Sequence, residues 1–272
     1  MNSPRSLHLW AAILCLPLLS SCAPKLTTFP TGTGAPFPDA ADAYTTATAD
    51  CRGVKTLSAE IALSGRAGRE KMRGRILAGF AAPAQIRLEA PAPFGRPVFV
   101  LVARGDNATL VLYRDGRVLR GAPPAAIVEA IAGVALGPDE LRAAVAGCGF
   151  GATEASSGRL FPGEWAAIDG NGFTAWLRRL DGGWRLVAAV RGPLEIRYED
   201  FTSSRPSTVR IRTTPAAAGA QADLVLRLSQ VDINVPLDPQ AFEAEVPADA
   251  APLTLDELRR AGPLGGGPEP PQ

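Results

Sequence analysis

Four cysteines and a single histidine bound the chemistry open to this chain. His8 lies inside Leu7–Ser20, an apolar run of about 14 residues that follows Arg5. A positive start followed by an apolar run too short to span a bilayer is the pattern of an export signal. Removing residues 1–21 takes His8 and Cys15 with it, so the mature chain has no histidine. Ser-His-Asp and Cys-His nucleophile systems are then excluded, as are metal sites built on histidine. Two carboxylates alone can support catalysis, and Asp139-Glu140 offers an adjacent pair. Acids that directly follow Pro138, however, suit the first turn of a helix, where they face the positive end of its dipole. The expectation is a protein that is not an enzyme and needs neither cofactor nor metal.

Cys22 stands directly after Leu19-Ser20-Ser21, where the signal ends. This resembles the bacterial lipobox, whose cysteine is acylated and becomes the mature N-terminus; the alternative is an ordinary export signal with a chance cysteine. Several acyl chains, each CH₂ contributing about 0.8 kcal/mol, make a stable anchor. Ala23 follows where an Asp would resemble an inner-membrane retention signal, so the expected location is the outer membrane, lipid-anchored and facing the periplasm. Cys51 and Cys148 remain. In an exported protein they read as one disulfide, with two buried thiols as the alternative.

The elements that must position these residues are mostly strands. TLSAEIAL places Leu57, Ala59, Ile61 and Leu63 on one face, and MRGRILAGF does the same with Met72, Ile76 and Phe80. QIRLEA, PVFVLVA and TLVLYRDG follow, the last closing on Asp115-Gly116, a hairpin signal. PPAAIVEAIAG and GPDELRAAVAG then switch to helical spacing, each starting at a proline and stopping at a glycine. Five more alternating segments come after them: GFTAWLRRL, GWRLVAAV, LEIRYEDF, STVRIRT and ADLVLRLSQV. Asp181-Gly182-Gly183 joins the first two as a tight turn.

These patterns predict a mainly β domain with short helices. The expected fold is a single unclosed antiparallel β-barrel of about 10–11 strands with a helical lid over a hydrophobic cavity. A filled barrel would show the same alternation. The expected organisation is a signal peptide over 1–21, a flexible Thr/Pro/Gly-rich tether over 22–50 and the half-barrel over 51–252. A short helix and disordered tail take 253–272. TTPAAAGAQ (Thr213–Gln221) reads as an insertion.

Within EAPAPFGRPVF (Glu89–Phe99), Phe94 sits between Pro93 and Gly95, with Pro91 and Pro97 outside them. Proline and glycine make this a turn, where a large aromatic buries little. Phe94 therefore either folds back under the loop or touches something apolar outside the protein. From about Cys51 to Pro247, the order of elements resembles the LolA/LolB group of lipoprotein carriers, and the LolB type in particular, which is itself an outer-membrane lipoprotein. Pro93-Phe94-Gly95 stands where that type carries Pro-Leu-Gly, a protruding loop used to deliver its passenger. The resemblance implies a cavity for acyl chains, with Leu88, Leu112, Ile127, Ile131 and Leu226 as candidates for its wall and lid. It implies three partners: acylated lipoproteins, a LolA-like periplasmic carrier that hands them over, and the lipids of the outer membrane. The alternatives are a carrier of another amphiphile and a structural lipoprotein.

Charge adds little to this. Loss of Arg5 leaves 27 basic and 27 acidic residues, for a net charge of 0. No basic excess points to nucleic acid, and a monomer is expected. Trp165, Trp176 and Trp184 read as core or as a ligand wall. Arg73, Arg75, Arg185, Arg197, Arg210 and Arg212 read as outer faces, either paired with Glu195 and Glu199 or facing anionic headgroups.

Overall fold

Alternating apolar residues commit each strand to burying one face, and antiparallel pairing joins those faces into one sheet. The computed structural model describes residues 28–151, 154–170, 172–213 and 221–263. The chain divides into two compact units, Met1–Thr31 and Gly32–Gln272, and every regular element described lies in the second. The signal segment, Cys22, most of the Thr213–Gln221 insertion and the tail from residue 264 onward lie outside the described residues.

A two-residue strand β1 (Ala35–Pro36) leads into helices α1 (Ala40–Ala47) and α2 (Ala49–Arg52). Six strands follow: β2 (Thr56–Ala67), β3 (Glu70–Ala81), β4 (Gln85–Ala90), β5 (Phe99–Arg104), β6 (Asn107–Leu112) and β7 (Arg117–Ala122). Helices α3 (Pro124–Ala132) and α4 (Pro138–Ala146) interrupt them. The chain resumes with β8 (Ser157–Phe161), β9 (Trp165–Asp169), β10 (Thr174–Leu180) and β11 (Gly183–Arg191). Then come β12 (Leu194–Thr202), β13 (Arg205–Thr213) and β14 (Ala222–Ile233). A one-turn 3₁₀ helix (Pro239–Phe242), a short β15 (Ala251–Pro252) and helix α5 (Leu255–Ala261) complete the described elements.

The sheet order is β1-β8-β9-β10-β11-β12-β13-β14-β2-β3-β4-β5-β6-β7-β15. All neighbours are antiparallel except β15, which runs parallel to β7. The barrel is unclosed. Each outermost strand is two residues long and contains a proline, Pro36 or Pro252, which has no N–H to offer a further strand. The helices line the concave face: α1 against β8, β9 and β11, α4 against β3, β4 and β13, and α3 against β6 and α5.

Several expectations on extent are corrected. Among the described residues there are 15 strands rather than 10–11. Alternation does not show β8 and β9, since β9 is buried on both faces; β7 (RVLRGA) also lacks clean alternation, and the two edge strands are only two residues long. Folding also starts inside the segment expected as tether, since α1 buries Ala40, Ala43 and Tyr44. The helix at the other terminus belongs to the body as well: Leu258 of α5 is 1% exposed. Between β14 and β15 the chain crosses the outer face of the sheet, where Phe242 packs on Val100 and Val102.

Two helix ends follow the sequence closely. Gly133 and Gly147 stop α3 and α4 in left-handed conformation (φ 73° and 95°), which favours glycine. At the start of α4, the Glu140 carboxylate accepts a hydrogen bond from the Gly137 N–H at 3.1 Å and is ion-paired with Arg191. Asp139 is ion-paired with Arg142. The adjacent acids thus hold a helix in place. Cys51 of α2 and Cys148 after α4 form a disulfide, with Cα atoms 5.6 Å apart. Beside it, Tyr198 accepts a hydrogen bond from the Gly149 N–H at 2.7 Å, and burial pushes its phenol well above the ordinary value.

Candidate functional site

The register gathers some of the candidate residues, Leu88, Leu112, Leu226 and the Phe94 loop, at one end of the sheet. Leu77 of β3 stands opposite Glu89 of β4, so β4 ends level with Ile76 and its loop leaves there. β2 and β3 continue past that level to their turn at Ala67–Glu70. The hairpin therefore overhangs beside the loop that carries Phe94.

That loop is tied at its base and projects at its tip. Val98 N–H donates to Ala90 O at 2.8 Å, and Tyr113 N–H donates to Val98 O at 3.2 Å. The Arg96 guanidinium lies 5.8 Å from the Tyr113 ring centre, while the Tyr113 hydroxyl donates to Glu245 O at 2.7 Å. Gly95 takes a left-handed φ of 77°. Phe94 is 93% exposed, so it does not fold back under the loop. Three prolines restrict the backbone on either side of it.

The concave face beneath is apolar. Leu112, Ile127, Ile131 and Leu226 are buried in the main core, and Ile127 is 0% exposed. These four form part of the packed interior between helices and sheet. Leu88 behaves differently: it is half-buried, as are Leu63 and Ile76 on the neighbouring strands. Gly65 and Gly74, nearer the turn, add no side chain to that face. Leu63, Ile76 and Leu88 thus form a half-buried apolar strip, bounded toward the turn by Met72 and Ala67, which are buried. Leu63 and Ile76 read in the sequence as apolar-face residues of their strands but not among the candidates for the cavity wall.

The other candidates divide between the two faces. Trp165 and Trp176 sit on the outer face, their ring centres 6.3 Å apart, with Phe161 5.6 Å from Trp176. Trp184 packs against Phe37 on the concave side, 5.6 Å between centres. It borders a pocket of about 190 Å³ with Cys51, Arg185 and Phe201, at the end opposite Phe94. On the outer face, Arg197 meets Glu195 at 2.5 Å and Arg212 lies 3.9 Å from it. Arg210 meets Asp223 through two 2.7 Å hydrogen bonds, chiefly through which the Asp223 carboxyl is held below its ordinary range. Arg75 pairs with Glu60 at 3.5 Å. Arg185 is held by the Ser203 carbonyl and by Asp181. Arg73 is in no ion pair among the described residues. No described helix is long and apolar enough to cross a membrane.

No family model matches the chain, and no curated protein matches it either. Solved structures do. A LolA superfamily protein from Nitrosomonas europaea superposes with a TM-score of 0.51 at 12% identity, covering 75% of this chain and 97% of that one. A DUF1329 family protein from Desulfovibrio piger gives 0.49 at 11% identity, covering 77% and 98%. The lipoprotein LppX from Mycobacterium tuberculosis gives 0.31 at 12% identity, covering 74% and 99%. Only the first of these exceeds one half, and at 12% identity it establishes a shared fold.

Proposed function

We propose that this chain binds lipid or the acyl chains of lipoproteins on the concave side of its unclosed barrel, as a member of the LolA superfamily. In its sharper form the proposal is a LolB-type acceptor, anchored in the outer membrane through acylated Cys22 and facing the periplasm. It would receive acylated lipoproteins from a LolA-like carrier and deliver them into the membrane, with no covalent step. The observation that carries this reading is Phe94: a large apolar side chain held out at 93% exposure, beside the half-buried strip of Leu63, Ile76 and Leu88. Such a side chain contributes nothing to folding, and its rigid mounting favours contact with an apolar phase.

Helices α3 and α4 occupy the concave face, so entry of an acyl chain requires one of them to yield. Hydrocarbon held there replaces contacts that the helices otherwise make with the sheet. A chain held by such exchange is released more easily than one in a closed cavity, which suits delivery to a bilayer.

The test uses the chain from Ala23 onward and a fluorescent fatty acid. Saturable binding that an acylated lipoprotein peptide displaces, while its unacylated twin does not, supports the acyl-chain reading. Displacement by phospholipid alone would move the proposal to a carrier of another amphiphile. A folded protein with no saturable binding would refute a ligand cavity.

A further inference from the structure

At the same overhang lies an open groove of about 490 Å³, lined by residues 62–65 of β2, residues 71–74 of β3 and Arg227 of β14. On the convex face its floor is Ala62 and Ser64 of β2, two small side chains that point away from the core. Arg227 of β14, opposite Ala62, forms one bank. Arg73, opposite Ser64, and Lys71 form the other on β3. Two strand spacings separate the banks, roughly 10 Å, so long basic side chains can converge on one anion between them.

Charge on this face is uneven. Arg75, Arg210 and Arg212 have acidic partners, whereas Lys71, Arg73 and Arg227 are in no ion pair among the described residues. Two acids of this face, Glu60 on β2 and Asp223 on β14, are engaged with Arg75 and with Arg210. Arg69 at the turn is likewise in no ion pair. Unpaired cations flanking a floor of small residues match a phosphate-bearing surface.

We infer that this groove docks the protein on an anionic membrane, its three cations lying among lipid phosphates while Phe94 enters the apolar layer next to them. This deepens the proposed function and rests on its reading of Phe94. The two features leave the same end of the sheet, so a single approach can engage both. Phe94 supplies penetration into any bilayer; the groove supplies the preference for negative charge.

Cosedimentation of the chain from Ala23 onward tests this, using vesicles of phosphatidylcholine and vesicles of phosphatidylcholine mixed equally with phosphatidylglycerol. Every described core residue lies beyond Ala23. Each Lys or Arg near an anionic surface contributes about fivefold, so three predict a preference for the mixed vesicles on the order of 100-fold at low salt. The triple variant Lys71→Gln/Arg73→Gln/Arg227→Gln should lose that preference and keep its binding to phosphatidylcholine. Arg259→Gln/Arg260→Gln on α5, a control for net charge, should keep the preference. An unchanged ratio in the triple variant overturns the inference. So does inorganic phosphate that competes as strongly as vesicles of equal phosphate content, since that describes a small-anion site. A Phe94→Glu variant with unchanged binding to phosphatidylcholine would instead remove the reading of the tip, and the ratio would still report on the groove.

Discussion

Replacing Phe94 with alanine separates a functional side chain from a structural one. At 93% exposure the ring gives up almost no solvent contact on folding, so its removal should change stability by less than about 0.5 kcal/mol. In a membrane the same ring would be buried, and a buried Phe is worth about 1.5–3 kcal/mol. At about 1.4 kcal/mol for each tenfold change, partitioning onto phosphatidylcholine vesicles should weaken roughly 10- to 150-fold. The prolines on either side keep the tip ordered in solution, so little of that gain is spent on ordering it. Phe94→Leu should retain most of the binding, and Phe94→Glu should lose more than alanine does. The assay pairs vesicle cosedimentation with urea unfolding of each variant. The reasoning is refuted if alanine leaves partitioning unchanged. It is equally refuted if the loss of binding tracks a loss of stability, because Phe94 would then be part of the fold.

Three further outcomes follow from the structure. Reducing the Cys51–Cys148 disulfide, which spans 97 residues, should lower unfolding free energy by up to about 4.7 kcal/mol in the chain-entropy model, seen as a lower urea midpoint with dithiothreitol; an unmoved midpoint would contradict it. Gly65 has φ 136°, and an added Cβ would lie 2.0 Å from the Asp223 carbonyl oxygen, so Gly65→Ala should cost at least about 2 kcal/mol by forcing β14 off β2; calorimetry showing an unchanged Tm would refute that. Glu257 takes hydrogen bonds from the Thr254 N–H and hydroxyl and from Arg117, which together bring its carboxyl down to about 2. Because the folded value lies below the unfolded 4.5, its contribution is present above pH 4.5 and disappears as the pH falls toward 2. Protection factors of the α5 amides, with the intrinsic exchange rate at each pH divided out, should therefore fall over that window, and fall much less in Glu257→Gln, which is already weakened at neutral pH.

The sequence by itself determined whatever depends on neighbours a few residues apart. Period two in TLSAEIAL and MRGRILAGF marked β2 and β3, because alternation is a property of a single strand. Pro124 with Gly133, and Pro138 with Gly147, bounded α3 and α4, since proline fits a first turn and glycine a left-handed cap. Asp181-Gly182 adopts positive φ at both residues, as a tight hairpin requires. The same local logic identified the Phe94 turn. It could not tell whether the ring folds back or projects, because that depends on what the rest of the chain places beneath the loop. Burial inside the molecule was equally illegible. Leu112 and Leu226 of the strands and Ile127 and Ile131 of α3 are no more apolar in the sequence than Leu88, yet those four are buried in the core and Leu88 is left half-buried. α1 hid in a Thr/Ala-rich segment because its stability comes from Tyr44 packing into a distant core rather than from its own pattern. Only tertiary structure set β14 against β2, joining residues more than 150 positions apart, and so brought Arg227 across from Lys71 and Arg73. Register between strands distant in sequence is decided by the faces they bury together, and no single segment encodes it.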